Sequence, residues 1–294
     1  MRQIMLTESE FRNVTLGQQT WRYHDAGLGR PIVLFHGFPD TPHSFAGIAQ
    51  ALNEEGYRTI LPYLRGYHPD TLVEGRPYDR LTLAQDALGL LDALELESAV
   101  LVGHDWGATL VYGAAALAPA RVDAIVPIAI PHPRTLKPKN VFETAALFLM
   151  ARHFIYFQLP WAEVGTRRND FAYIEALYRR WAPDWQGPER DAALSRAKEA
   201  FSDPQVLTAA LDYYRAMFGK VDRRLTGSLQ TRGLMVAGGK DFGGRLGPYK
   251  KSQGLFELGA DLVVMPKAGH WPHRENEPVF TAALLDFLRD THPS

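Results

Sequence analysis

Short, nearly continuous apolar runs alternate with longer amphipathic stretches along most of this chain. Phe11–Leu16 and Gln19–His24 read as strands joined across Gly17, which predicts an antiparallel pair. Ile32–Phe35, Thr59–Pro62, Ala99–Val102, Val122–Ile130, Gly233–Ala237 and Leu262–Met265 are short runs of the kind that form buried strands. Between them, Ser44–Glu55, Leu81–Leu94, Trp106–Leu117, Pro248–Gly254 and Val279–Arg289 predict helices, with Gly56 as a C-cap for the first. This alternation predicts the α/β class: a mostly parallel central sheet flanked by helices. It stops between Pro131 and about Asp222, a stretch rich in aromatics, Arg and helix formers and without a strand pattern. Such an insertion predicts a helical cap over the carboxyl ends of the strands. The expected division is a core of residues 1–133 and 223–294 and a cap of residues 134–222.

The run Ala99-Val100-Leu101-Val102 leads directly into Gly103-His104-Asp105-Trp106-Gly107 and then a helix. A strand, a Gly-x-nucleophile-x-Gly turn and a helix form the nucleophile elbow of the α/β-hydrolase fold. Most elbows carry Ser, and here the position holds Asp105. Serine attacking a saturated carbon would make an ether, which activated water does not cleave. A carboxylate attacking the same carbon makes an ester, which water can cleave. Asp105 therefore points to displacement at a saturated carbon bearing an epoxide oxygen or a halide. The alternative use of Asp at this place is to cap the helix that starts at Trp106.

A nucleophile of this kind needs a base, and the base an orienting acid, in the chain order nucleophile, acid, base. His270 lies just beyond the apolar run Leu262–Met265, behind Gly269, where the base belongs. His273, His24, His43, His68 and His292 occupy less suggestive places. Asp241 follows Gly233–Ala237 through Gly238-Gly239-Lys240 and fits the acid, and the other usual place, at Ala129-Ile130-Pro131, has no carboxylate. The alternative for Asp241 is an Asp in a Gly-rich turn. An oxyanion hole needs two backbone N–H groups, expected from Trp106 and from Phe38 in His36-Gly37-Phe38-Pro39. A cis bond before Pro39 is expected to shape that loop.

Composition adds boundaries. The chain has 294 residues, 46% hydrophobic and 22% charged, with a net charge of −1. That balance gives no electrostatic case for nucleic acid or an anionic membrane. There is no cysteine, which excludes disulfides, thiolate metal sites and a Cys nucleophile. Neither a metal nor an organic cofactor is called for by the chemistry. No apolar segment reaches the length of a membrane span, and the first residues lack the apolar core of a signal peptide. A cytoplasmic location is the resulting expectation.

Together, His36-Gly37-Phe38-Pro39, Leu64-Arg65-Gly66-Tyr67, Gly103-His104-Asp105-Trp106-Gly107, Pro131-His132-Pro133 and Gly269-His270-Trp271 resemble the epoxide-hydrolase branch of the α/β-hydrolases. The resemblance spans nearly the whole chain. It implies that an aspartate opens the epoxide and that a His then activates water against the ester. It also implies that two cap side chains, usually both Tyr, hold and protonate the epoxide oxygen. One of these falls at Tyr214 in Leu211-Asp212-Tyr213-Tyr214-Arg215, with Tyr213 as the competing register. The other, three residues before Tyr156-Phe157-Gln158, falls on His153 rather than Tyr, with Tyr156 as a substitute donor. A His/Tyr pair is similar to the subgroup related to the bacterial virulence factor that inhibits the chloride channel of cystic fibrosis. That subgroup often carries its acid where this chain has Ala129, so the chain mixes features. Trp271 is a further candidate for touching substrate. The cap aromatics Phe148, Phe154, Phe157, Trp161, Trp181 and Trp185 fit an apolar or aryl epoxide, and the family implies a monomer or a homodimer.

Four other functions compete. Haloalkane dehalogenases use a Trp after the nucleophile, which Trp106 matches, but their usual Asn partner is replaced by Phe38. Fluoroacetate dehalogenases place Arg where this chain has Trp106 and Thr109. A non-catalytic binding module usually loses part of the triad, which is complete here. Serine esterase chemistry lacks its Ser.

Overall fold

The computed structural model describes residues 6–75, 77–136, 152–241 and 246–291, so Phe148 and His292 lie outside the described residues. Eight strands form one sheet: β1 (Phe11–Leu16), β2 (Gln19–Ala26), β3 (Pro31–Phe35), β4 (Arg58–Pro62), β5 (Ala99–His104), β6 (Val122–Ile128), β7 (Arg232–Gly238) and β8 (Ala260–Met265). Their spatial order is β1-β2-β4-β3-β5-β6-β7-β8. The β1–β2 and β2–β4 pairs are antiparallel, and every other pair is parallel. β5, which feeds the elbow, therefore runs near the middle of the sheet.

Successive residues of a strand point to opposite faces, and both faces here are covered, which is why the strands read as unbroken apolar runs. Ile32, Leu34, Val100 and Val102 pack on one face with Phe45, Ile48, Leu52, Phe280 and Leu284. These last come from the stretch running into α1 (Ala46–Glu54) and from the C-terminal helix Glu277–Asp290. Val33, Phe35 and Leu101 face the other way, against Leu83 and Leu90 of α2 (Arg80–Ala93) and Leu110 and Val111 of α3 (Trp106–Leu117).

Most elements begin or end one or two residues from the sequence reading, and two of the differences have a local cause. The helix expected over Ser44–Glu55 is a 3₁₀ turn at Pro42–Phe45 followed by α1, because Pro42 starts a turn ahead of the α-helix. The strand expected over Val122–Ile130 stops at Ile128, because Ala129 takes φ +67° and its N–H turns to the Val236 carbonyl. Between β6 and β7 the described residues form no strand. They fold as α4 (Arg152–Tyr156), α5 (Ala162–Trp181), α6 (Pro188–Ala200) and α7 (Pro204–Ala216). Among the bonds that tie this segment to the sheet's carboxyl-end loops are Tyr178 Oη to the Pro39 carbonyl (2.8 Å), Tyr213 Oη to the Arg65 carbonyl (2.7 Å) and His270 N to the Trp181 carbonyl (2.9 Å). No helix among the described residues is long and apolar enough to cross a membrane.

Candidate active site

The elbow is built by close backbone approach. A Cβ on Gly103 would stand 2.2 Å from the Gly107 carbonyl oxygen, and one on Gly107 would stand 2.2 Å from that of Phe35. Strand and helix thus meet too tightly for any side chain at either glycine. The turn between them forces Asp105 to φ +52°, a conformation that non-glycine residues hold only where surrounding structure compels it. Asp105 occupies the N-cap position of α3, yet its side chain does not cap the helix. The carboxylate reaches elsewhere. Oδ1 accepts the Phe38 N–H at 3.0 Å, and Oδ2 lies 3.4 Å from His270 Nε2.

His270 and Asp241 come from loops after β8 and β7. His270 Nδ1 is 2.8 Å from Asp241 Oδ2, so Nε2 is the nitrogen that faces Asp105. All three side chains are buried or nearly so. Burial alone would pull His270 down, but Asp241 and Asp105 outweigh it and push its pKa up to about 10. Burial would likewise raise Asp105, whereas His270, His104 and the Phe38 N–H hold it below the usual carboxylate range. The resting pair is therefore a carboxylate beside an imidazolium.

Opposite this pair lie aromatic side chains from α4, α5 and α7. The Tyr214 ring stands 5.2 Å from both Phe38 and Trp106, which flank Asp105. Burial, aided by the Asp105 charge, raises the Tyr214 phenol well above its ordinary value. Tyr213 points another way and spends its hydroxyl on the Arg65 carbonyl. His153 is 2% exposed, with its ring 5.5 Å from Tyr214 and 4.8 Å from Trp181. Phe154 and Phe157 close the group around Tyr214.

Other expected residues are not brought to this point. Tyr156 stacks on Tyr173 at 4.3 Å, and its hydroxyl lies where a Cβ on Gly165 would be, so its own packing uses it. Trp271 donates its indole N–H to Asp40 Oδ2 at 3.2 Å and stacks on Tyr178 at 4.4 Å, bracing the His270 loop from behind. Trp161 is 58% exposed on the outer surface, away from the aromatic group. Trp185 packs on Tyr178 and Trp271 rather than beside Tyr214.

Sequence reading missed the residues that hold this frame. Glu275 accepts the N–H groups of Gly269 (2.8 Å) and Trp271 (3.0 Å), pinning the residues on either side of His270. His104 Nε2 donates to the His270 carbonyl at 2.8 Å. Buried His36 is neutral, its pKa pulled to about 3 by desolvation, and it accepts the Leu64 N–H at 3.1 Å. Among the described residues, Asp40, His104 and His273 could bring ligand atoms within 4.8 Å of one another. Each already has a protein partner: Asp40 holds Trp271, His104 holds His270, and His273 is 2.8 Å from Ser44 Oγ. The trio thus serves as a polar buttress behind His270. Of the three, His104 stands in the elbow motif and His273 is a rival candidate for the base, while Asp40 carried no signal in the sequence.

The Phe38 loop depends on one glycine. The bond from Phe38 to Pro39 is cis, as expected. A Cβ on Gly37 would stand 2.5 Å from the Asp105 Cβ and 2.6 Å from the His104 carbonyl oxygen. Gly37→Ala is expected to push the Phe38 N–H off Asp105 and lower kcat roughly 10²–10³-fold, the scale of losing one oxyanion donor. Steady-state kinetics beside a melting curve tests this; a folded variant with unchanged kcat would contradict it.

Residues 30–277 match the family described as the α/β hydrolase fold. An epoxide hydrolase of Caballeronia sordidicola is 40% identical over 295 residues, spanning 90% of this chain and 89% of its own length. The chain belongs to the epoxide-hydrolase branch of the α/β-hydrolases. Within this wider family, the AB hydrolase superfamily protein YfhM of Bacillus subtilis is 29% identical over 273 residues, covering 91% of this chain and 94% of its own. The crystal structure of epoxide hydrolase A from Mycobacterium thermoresistibile superposes with a TM-score of 0.77 at 27% identity, over 95% of this chain and 98% of that one.

Proposed function

We propose that this protein hydrolyses an apolar or aryl epoxide to a vicinal diol through a covalent aspartyl ester. The observation that carries this reading is the carboxylate at the elbow, held by the Phe38 N–H and His270 and faced by a phenol and an imidazole. Asp105 Oδ2 attacks an epoxide carbon, and the C–O bond breaks as its electron pair moves to oxygen. Tyr214 and His153 receive that oxygen, and Tyr214 gives it a proton. Oδ1 stays on the Phe38 N–H and becomes the ester carbonyl oxygen.

The ester carries no charge, so His270 loses one of the two carboxylates that held its proton. Its pKa then falls, the imidazolium releases its proton to solvent, and neutral His270, oriented by Asp241, can deprotonate water. The resulting hydroxide attacks the carbonyl carbon of Asp105. Phe38 and Trp106 N–H groups stabilise the oxyanion, and the diol leaves when the ester bond breaks.

This reading divides the chain into a core of residues 1–133 and 223–294 and a helical cap of residues 134–222. The ties from Tyr178, Tyr213 and Trp181 to the core loops support that division. The His/Tyr pair aligns the chain with the subgroup related to the chloride-channel inhibitor. The aromatic group of Phe38, Phe154, Phe157 and Trp181 supports an apolar substrate.

Halide displacement is the second reading, favoured by Trp106 directly after the nucleophile, whose buried indole N–H, turned toward the Tyr214 hydroxyl, is the kind of donor a departing halide needs. Intact-mass measurement of His270→Gln with styrene oxide and, separately, 1-bromobutane separates the two. Without its base the enzyme is expected to retain the whole mass of the epoxide, mapped to Asp105. A butyl adduct with no epoxide adduct would instead establish a dehalogenase.

A further inference from the structure

Arg180 Nη2 lies 3.2 Å from His153 Nδ1. A guanidinium has only donors, so in this contact Nδ1 must be the acceptor. The ring proton then resides on Nε2. A second proton on Nδ1 would remove the acceptor and set two cations against each other. The surroundings add to that penalty, because Phe154, Phe157, Trp181 and Tyr214 all ring His153 within 6.0 Å. Among the described residues, the charged and titratable groups near His153 and its partner Arg180 include Arg152 on α4, Tyr173 on α5 and Tyr214 on α7.

We propose that Arg180 is a positioning residue that locks His153 as a neutral imidazole protonated on Nε2. The inference rests on the epoxide-hydrolase reading and divides the labour of ring opening. Neutral imidazole does not release its Nε2 proton to an alcohol oxygen, so His153 contributes a hydrogen bond and Tyr214 alone transfers a proton. As Asp105 bonds to carbon, the released oxygen takes the phenolic proton and leaves tyrosinate. Ester hydrolysis frees Asp105 as the acid, whose proton restores Tyr214. His270 returns to the departing alkoxide the proton it took from water and regains its resting proton from solvent once Asp105 is again a carboxylate, so the cycle balances as epoxide plus water to diol. Arg180 thereby removes from ring opening a histidine titration that would otherwise fall near neutral pH.

Two measurements test this on the full chain. In protein with ¹⁵N-labelled histidine rings, assigned with His153→Gln, His153 is expected to remain neutral and protonated on Nε2 between about pH 5.5 and 8. A ring that titrates in that range, or carries its proton on Nδ1, overturns the proposal without reference to activity. The second measurement is the rate of ester formation with styrene oxide in the His270→Gln background. Arg180→Met is expected to slow it about tenfold at the upper end of that range, the scale of one hydrogen bond, and to recover as pH falls and His153 becomes an acid. Arg180→Lys, which restores a cationic donor, should keep the parent's pH profile. A loss of the same size at every pH would show that Arg180 only supports packing and would overturn the proposal. Failure of the wild-type protein to turn over any epoxide would count against the hydrolase reading, whereas the tautomer is decided by the ring signals.

Discussion

Asp105→Ala is expected to abolish turnover, with kcat falling about 10⁵-fold or more, the scale seen when a covalent nucleophile is removed. The second expected effect separates loss of chemistry from loss of structure. His270 owes its raised pKa, about 10 against the pull of burial, to Asp241 and Asp105 together. Removing the Asp105 charge destabilises the imidazolium, so its pKa must fall while Asp241 stays in place. The same change of charge accompanies ester formation, and the variant therefore mimics the electrostatics of the intermediate. Titrating the His270 ring by NMR in wild-type and variant protein measures the shift directly. Retained turnover would refute Asp105 as nucleophile. An unmoved His270 would refute the account of how the base is released between the two steps.

The elbow was legible because its demands are local. Gly103 and Gly107 sit four residues apart where strand and helix backbones nearly touch, and no other residue type fits there. His270 and Asp241 were legible because each follows an apolar run at the sheet's carboxyl edge, where functional loops gather. The choice between Tyr213 and Tyr214 could not be read from composition. Adjacent helical residues diverge by about a third of a turn, and only the packed structure sends the Tyr213 hydroxyl to Arg65 and sets the Tyr214 ring against Phe38 and His153. Glu275 and Arg180 were invisible for a related reason: each works through one contact set by the arrangement of separate elements or loops. Adjacency to His270 along the chain made Trp271 a substrate-side candidate, and what sequence could not show is that its indole N–H is spent on Asp40.

Arg65→Met is expected to destabilise the fold by about 3–5 kcal/mol, the usual cost of stranding one member of a buried ion pair. Both Arg65 and Asp86 are buried, and the guanidinium grips the carboxylate with two parallel bonds, one of them Nε to Oδ2 at 2.6 Å. With Met at position 65, the buried Asp86 carboxylate loses both bonds from the guanidinium, and that lost compensation for its desolvation dominates the loss. The melting temperature should fall by roughly 6–15 °C for a chain of this size. Arg65→Met combined with Asp86→Leu should recover much of the loss, because no buried charge is left over. Equal melting temperatures for wild type and Arg65→Met would contradict this account. The pair also bears on the site, since the Arg65 carbonyl holds the hydroxyl of Tyr213, next to Tyr214. The double variant should therefore separate two effects, regaining stability while ring opening stays slower if the Arg65 backbone has shifted under Tyr213.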